Sequence, residues 1–326
     1  MIEGQAKIVL TRRWPADVEQ QMAQLGDLIR NETDAPMSGD QLSAALQEAD
    51  IVCPTVTDSL SAEILAKRPV RARLLANFGA GFNHIDLNAA HQQGIAVTNT
   101  PDVLTDATAE IALTLMMMSA RRASEGERQV RAQAWSGWRP THMLSTQVSG
   151  RTLGIIGMGR IGLAFARMAH HGLGMRILYH NRNRIAESFE LELQAQKVPL
   201  EHLLRSSDFV SVHCPSTTET YHLLDREHLA LMPSHAHLIN TARGDVVDES
   251  ALLEALQSKS IAGAGLDVYE AEPTLTPGLI DLEQVVLLPH MGSGTTQTRR
   301  AMGMRALANV QAYLRGSPLP DQVTLR

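Results

Sequence analysis

Thr152-Leu153-Gly154-Ile155-Ile156-Gly157-Met158-Gly159-Arg160-Ile161-Gly162 decides the fold of this 326-residue chain. The uncharged residues from 152 to 156 read as a buried strand, and the glycines at 157, 159 and 162 form a GxGxxG turn. Ala164, Ala166, Met168 and Ala169 then continue the segment as a helix. Glycine at these spacings allows a tight turn, close backbone approach to a pyrophosphate and close helix packing, while the helix N-terminus offers N–H groups to the anion. Strand, turn and helix together predict dinucleotide binding. The ordinary alternative is a tight turn in an α/β protein without a nucleotide.

Downstream of this turn, three predicted strands each lead to a side chain able to do chemistry. Leu238-Ile239-Asn240-Thr241 precedes Arg243, Ala264-Gly265-Leu266-Asp267-Val268 precedes Glu272, and Val285-Val286-Leu287-Leu288 precedes His290. Ligands of open α/β sheets bind outside the carboxyl ends of the strands, so these positions are placed for function. Upstream, strand candidates run from Lys7 to Thr11, Asp50 to Cys53, Arg73 to Asn77 and Ile95 to Thr98. Ser38-Gly39-Asp40-Gln41 fits a capping box that opens a helix with Leu42, Ala45, Leu46 and Ala49 on one face. This alternation predicts βαβ units and a second parallel sheet.

Turn chemistry at Thr100-Pro101 closes the first pattern, and a linker helix is expected from about Thr105, with Ala109, Ala112, Leu113, Met116 and Met117 packed. Arg131 to Ser149 reads as irregular, and exposure of Trp135 and Trp138 there would mark an interface. The second α/β pattern runs from Arg151 to about Met291. A last helix, Thr295 to Leu314, is expected to return to the first domain. The reading is an α/β protein of two doubly wound parallel-sheet domains, residues 1–100 with 293–326, and residues 101–292.

A formal charge of -6 with scattered Lys and Arg gives no electrostatic footprint for nucleic acid. No apolar run approaches the roughly 18 residues that span a bilayer, and Met1-Ile2-Glu3-Gly4-Gln5-Ala6-Lys7 lacks a leader pattern, so a cytoplasmic, membrane-free protein is expected. Cys53 and Cys214 stand far apart without metal-type spacing; they fit a reducing compartment and predict no metal site.

NAD-binding turns carry an acidic residue about twenty positions on, at the end of the next strand. After Arg176-Ile177-Leu178-Tyr179 this chain has none; it reads His180-Asn181-Arg182-Asn183-Arg184. Losing the carboxylate removes repulsion against a 2′-phosphate, and Arg182 and Arg184 are able to pair with one, which predicts a preference for NADP(H). NAD(H) stays open if another loop supplies a carboxylate, and a solvated basic turn is the plain alternative.

Arg243, Glu272 and His290 supply the parts that hydride transfer to a carbonyl needs. His290 would donate the proton in reduction. Arg243 would grip a substrate carboxylate and polarise the adjacent carbonyl with its planar fork. Glu272 would hydrogen-bond the imidazole, favouring its charged form and fixing its orientation. Taken singly, each has an ordinary role: His290 as a loop cap, Glu272 as an exposed turn residue, Arg243 in a surface ion pair. Their joint placement behind three strands of one domain favours chemistry.

These residues resemble the D-2-hydroxyacid dehydrogenase family, and within it the glyoxylate/hydroxypyruvate reductase and glycerate dehydrogenase branch. The resemblance is carried by Asn77-Phe78-Gly79-Ala80-Gly81-Phe82-Asn83-His84-Ile85-Asp86, Gly94 to Pro101, the glycine turn, His213-Cys214-Pro215, Asn240-Thr241-Ala242-Arg243-Gly244, Gly265 to Pro273, and Pro289-His290-Met291-Gly292-Ser293. It covers both domains in the family's order. It implies a Rossmann NAD(P)-binding domain beside a flavodoxin-like substrate domain, with Arg243, Glu272 and His290 catalytic and the amides of Gly79, Ala80 and Gly81 on the substrate carboxylate. It further implies cofactor contacts from Thr108, Gly157, Gly159, Arg160, Ile161, Gly162, Asn181, Arg182, Arg184, Cys214, Pro215, Thr241, Ala242, Asp267, His290 and Gly292, with Asp267 on the nicotinamide carboxamide.

A homodimer paired through the nucleotide domains is implied as well. Trp138, in Trp135-Ser136-Gly137-Trp138, is similar to a residue that reaches towards the other subunit's site and narrows the substrate pocket; ordinary dimer packing is its alternative. The expected activity is reduction of small 2-keto acids, glyoxylate to glycolate and hydroxypyruvate to D-glycerate. Another acid or oxyanion such as phosphite stays open, as does a cofactor-sensing corepressor built on the same fold. Formate fits less well, because Glu272 stands where formate dehydrogenases resemble a Gln-His arrangement.

Overall fold

Short apolar strands with both faces covered set the architecture. The computed structural model describes residues 5–325, and the chain divides into two compact units, Met1–Leu104 with Ser293–Arg326, and Thr105–Gly292. The first unit contains β1 (Lys7–Leu10), β2 (Asp27–Arg30), β3 (Ile51–Cys53), β4 (Leu74–Ala76) and β5 (Ala96–Thr98) in the order β2-β1-β3-β4-β5. All neighbours are parallel. Successive residues supply opposite cores: Val9, Val52, Leu75 and Val97 pack on one face, Ile8, Leu10, Ile51 and Leu74 on the other. An all-parallel sheet needs this, because its crossovers cover both faces. The order reverses between β1 and β3, giving a doubly wound, flavodoxin-like sheet.

β2 is an element the sequence reading did not include. Asp27–Arg30 lies at the sheet edge with no fully buried residue, so it lacks the apolar run that marks the other strands. The capping box at Ser38 forms as the sequence predicts: its hydroxyl accepts from Gln41 N, and Gln41 Oε1 accepts from Ser38 N at 2.8 Å. Leu42, Ala45, Leu46 and Ala49 are buried. The helix Thr296–Leu314 returns to this unit, packing Met302, Ala306, Leu307 and Val310 with Ile8, Leu10, Trp14 and Val18.

The second unit holds β6 (Thr152–Ile156), β7 (Arg176–His180), β8 (Gln196–Lys197), β9 (Phe209–Val212), β10 (His237–Asn240), β11 (Gly263–Leu266) and β12 (Val285–Leu287), ordered β12-β11-β10-β9-β6-β7-β8. Counted from its own first strand this is the 3-2-1-4-5-6 order of a Rossmann sheet with one strand added. The switch point lies between β6 and β9, where the glycine turn leaves the sheet. The helix Thr105–Ala120 buries Ala109, Ala112, Leu115 and Met116. Leu113 and Met117 are partly buried and pack against the same core as expected, and Leu115 is a fully buried position that the expectation left out. The reason is the close seat of this helix on β11: a Cβ on Gly265 would stand 2.9 Å from the Leu115 Cβ.

Residues 132–151 have no regular structure, and Trp135 and Trp138 are 53% and 82% exposed. Among the described residues no helix is long and apolar enough to cross a membrane.

Candidate active site

The three glycines of the turn have three different physical reasons. Gly157 has φ +95°, and a Cβ there would stand 2.4 Å from the backbone N of Cys214. Gly162 would meet the Gly157 carbonyl at 2.5 Å, so any side chain would push the helix off the strand. Gly159 has nothing within 4 Å of its would-be Cβ. Two glycines are thus demanded by the protein's own packing, and the open one leaves room for a ligand to approach the backbone. The helix Arg160–Leu173 starts at Gly159 without a side-chain cap, leaving its first-turn N–H groups to an anion.

After β7 the side chain of Asn181 turns back to the glycine loop, its Oδ1 accepting from Met158 N at 2.6 Å and its Nδ2 donating to Met158 O at 3.4 Å. Arg182 is exposed, and its carbonyl accepts from Lys197 Nζ at 3.1 Å. Arg184 is committed elsewhere: it forms an ion pair at 2.7 Å with Glu190, a 7% exposed carboxylate that also takes the Tyr179 hydroxyl. Across the switch point, Cys214 lies against Gly157, and burial pushes its thiol up to about 11. Thr241 is buried, and its Oγ1 has no partner among the described residues. A buried hydroxyl without a partner, at the same carboxyl end of the sheet as the open glycine and the helix start without a side-chain cap, is what a dinucleotide would complete.

Arg243, Glu272 and His290 follow β10, β11 and β12, three adjacent strands, on the loops at their carboxyl ends. Arg243 sits on a turn clamped by the buried Asn240, whose Nδ2 donates to Arg243 O at 2.8 Å and whose Oδ1 accepts from Ala242 N at 3.0 Å. The next residue, Gly244, is pressed so closely on Tyr269 that a Cβ would overlap its carbonyl carbon. The Arg243 turn and the Tyr269–Glu272 turn are therefore held together by backbone packing. Glu272 Oε1 accepts from Tyr269 N at 3.0 Å, and Oε2 accepts from His290 Nδ1 at 2.8 Å. Because the carboxylate takes the Nδ1 hydrogen, Nε2 is the ring nitrogen left for a substrate.

His290 itself is in the left-handed region, at φ +53°, a conformation that costs of order 1–3 kcal/mol outside glycine. The carboxylate of Asp267 holds it there, accepting from Met291 N and Gly292 N, both at 2.7 Å. Thr108 closes the other side, 3.2 Å from where a Gly292 Cβ would stand.

The charges in this cluster oppose desolvation. Burial raises the Glu272 carboxyl, but the hydrogen bond and charge of His290, the Tyr269 N–H and the charge of Arg243 outweigh it and leave Glu272 below the ordinary carboxylate range. Burial lowers Arg243 against the charges of Glu272 and Asp245. Burial also raises Asp267, outweighing the two N–H groups that stabilise its charge.

Residues 113–292 match the family model for the D-isomer specific 2-hydroxyacid dehydrogenase, NAD binding domain. A glyoxylate reductase of Korarchaeum cryptofilum is 44% identical over 320 residues, 97% of this chain and 95% of that protein. The chain belongs to the D-isomer-specific 2-hydroxyacid dehydrogenase family. Its structure is similar to that of a D-isomer specific 2-hydroxyacid dehydrogenase from Polaromonas, with a TM-score of 0.91 and 37% identity, covering 98% of this chain and 100% of that one. An NADPH-dependent glyoxylate/hydroxypyruvate reductase of Sinorhizobium meliloti, solved with NADP and malonate, gives a TM-score of 0.87 at 31% identity, covering 98% and 97%.

This member of the 2-hydroxyacid dehydrogenase family is an NAD(P)-dependent oxidoreductase acting on small 2-hydroxy and 2-keto acids. Sequence reasoning had no signal for two of its supports. Asn240 clamps the Arg243 turn, and Asp267, which the family resemblance implies as a nicotinamide contact, has both oxygens on the backbone of Met291 and Gly292. An Asn or Asp at a strand end is too common to stand out until its partners are known. In the first unit, Gly79-Ala80-Gly81 follows β4, with Gly79 fully buried and Ala80 and Gly81 half-buried. Trp138 lies in the irregular segment of the second unit.

Proposed function

We propose that the enzyme reduces small 2-keto acids such as glyoxylate and hydroxypyruvate to glycolate and D-glycerate, with His290 as proton donor and NADPH as preferred cofactor. The observation that carries this reading is the 2.8 Å Glu272–His290 hydrogen bond, which leaves Nε2 as the donor beside a buried arginine. The guanidinium of Arg243 binds the substrate and polarises its carbonyl, and the Gly79-Ala80-Gly81 loop of the first unit offers backbone N–H groups suited to a carboxylate. A dinucleotide, when bound, would supply the hydride that the carbonyl carbon receives. His290 gives its Nε2 proton to the carbonyl oxygen as that oxygen gains charge, and Glu272 keeps the imidazole oriented through the transfer. A solvent proton then restores the imidazolium. Oxidation of the hydroxy acid runs the same steps in reverse.

The cofactor preference rests on Asn181 and Arg182. Asn181 contributes no negative charge where a 2′-phosphate would lie, and Arg182 is the guanidinium of this loop not paired with Glu190. The similar Sinorhizobium meliloti enzyme is NADPH-dependent. We also infer a homodimer: Val130, Trp135, Trp138 and Leu144 are large apolar side chains left 53–82% exposed along one segment, which water alone disfavours. Trp138 is the residue of that segment assigned to narrowing the substrate pocket. The unbridged Cys53 and Cys214 fit a cytoplasmic location.

The test is a steady-state assay of purified protein with glyoxylate and with hydroxypyruvate, each against NADPH and NADH, following nicotinamide absorbance. A higher kcat/KM with NADPH on either substrate is expected. Equal or better use of NADH overturns the cofactor assignment, and no turnover with any pair despite cofactor binding overturns the substrate assignment.

A further inference from the structure

A peptide loop carries as many acceptors as donors, so a glycine-containing loop is by itself no more suited to an anion than to a cation. In Gly79-Ala80-Gly81 this symmetry is broken from behind. The Gly79 carbonyl accepts from Thr100 N at 2.9 Å and from Asn77 Nδ2 at 3.1 Å. The Gly81 carbonyl accepts from the same Asn77 Nδ2 at 2.9 Å, and the Ala80 carbonyl accepts from Asn99 Nδ2 at 2.7 Å. Every carbonyl of the loop is thereby turned inward.

In a trans peptide the C=O and the following N–H point in opposite directions. Fixing the carbonyls of Gly79, Ala80 and Gly81 therefore turns the N–H groups of Ala80, Gly81 and Phe82 the other way. Among the described residues none of these three N–H groups has an acceptor. The Asn77 side chain is itself locked: it is fully buried, and its Oδ1 lies 3.1 Å from His84 Nε2. With Nδ2 facing two carbonyls, Oδ1 must accept, so His84 Nε2 carries the hydrogen.

We propose that Asn77, seconded by Asn99, is a positioning residue that fixes the polarity of this loop and so sets its affinity for the substrate carboxylate. The inference rests on the reading that the loop binds that carboxylate. Asn77 touches no substrate in this scheme; it acts by denying the loop its carbonyls. Without Asn77 the peptide plane after Gly81, and without Asn99 the plane after Ala80, is free to rotate and present an oxygen where a nitrogen is needed, while the plane after Gly79 keeps only its bond from Thr100 N.

Asn77→Ala, Asn99→Ala and Asn77→Asp test this in the full-length enzyme. The readouts are KM and kcat for glyoxylate, oxalate affinity by calorimetry with NADP present, NADPH affinity by fluorescence, and the thermal midpoint. Loss of two carbonyl hydrogen bonds should raise KM and weaken oxalate together by tenfold or more in Asn77→Ala, on the order of one net hydrogen bond per tenfold. Asn99→Ala, losing one, should show about a threefold to tenfold change. In both, kcat should change by a smaller factor and NADPH affinity should stay at the wild-type value.

Asn77→Asp should be worse than Ala at neutral pH, because a carboxylate repels both the carbonyls and the substrate. It should recover as pH falls and the side chain regains a donor hydrogen. Wild-type KM and oxalate affinity in a folded Asn77→Ala overturn the proposal, as does a loss shared equally by NADPH binding. If Asn77→Ala does not fold, Asn99→Ala decides by the same criteria. Oxalate binding that follows this pattern without glyoxylate turnover would sustain the positioning role and sink the glyoxylate assignment. Failure of wild type to bind oxalate would sink the positioning role.

Discussion

The glycine turn of the second unit and the Gly79-Ala80-Gly81 loop of the first both offer backbone N–H groups, yet they are built in opposite ways. In the glycine turn the donors come from a helix start: Gly157 at φ +95° makes the turn, Gly159 opens the approach, and the side chain that reaches in from outside, Asn181, takes Met158 rather than the helix-start peptides. In the loop after β4 no helix begins, and side chains from behind, Asn77 and Asn99, decide which way the peptides face. The donors of the first are set locally, by the glycines and the helix start. The second is tertiary, since Asn99 and Thr100 belong to a different strand end from the residues they hold. The comparison teaches that a motif is readable from sequence to the extent that its polarity is produced within the motif.

His290→Ala should give the largest effect and leave both proposed anion sites intact: kcat falls by about 10²–10⁴ on loss of the proposed proton donor, with NADPH and oxalate affinities at wild-type values by fluorescence and calorimetry. Weakened binding at either site would mean that His290 helps to build it. Gly157→Ala comes next. A methyl group forced against the Cys214 backbone at 2.4 Å should lower the thermal midpoint and cost NADPH affinity by roughly a hundredfold, with strain of a few kcal/mol as its source.

Gly159→Ala sharpens the contrast within one turn. Its Cβ meets nothing within 4 Å, so the midpoint of the unliganded protein should hold, while NADPH binding weakens by about tenfold because only the ligand needs that space. An equal fall in apo stability would show that the glycine is structural instead. The smallest effect is expected from Arg182→Ala, about threefold to tenfold on kcat/KM with NADPH and little with NADH, as for one exposed charge on a phosphate. A matching loss with NADH would move Arg182 away from the 2′-phosphate.

Most of the fold was legible because its signals are local. Apolar strand runs, the Ser38 capping box and the GxGxxG turn each stand in consecutive residues. β2 was not, because Asp27–Arg30 is an edge strand whose pairing with β1 rather than its own pattern makes it a strand. The packed residues of Thr105–Ala120 were legible except Leu115, whose burial comes from the close approach of Gly265 on a distant strand. In the candidate site, strand ends foretold the placement of Arg243, Glu272 and His290. The supports at Asn240 and Asp267 were not foretold, and neither was the commitment of Arg184 to Glu190, which leaves Arg182 to the proposed 2′-phosphate contact.

By itself the sequence determined the two parallel-sheet patterns, the conformation of the glycine turn and the strand ends on which the reactive side chains sit, because these follow from periodicity and from steric limits of neighbouring residues. Beyond the expected Glu272–His290 pair, only the tertiary structure decided which polar groups meet: Asp267 on the backbone after His290, and Asn77 and Asn99 on the carbonyls of the Gly79-Ala80-Gly81 loop. Hydrogen bonds act over about 3 Å and depend on direction, so their partners are fixed only when the strands that carry them have been packed.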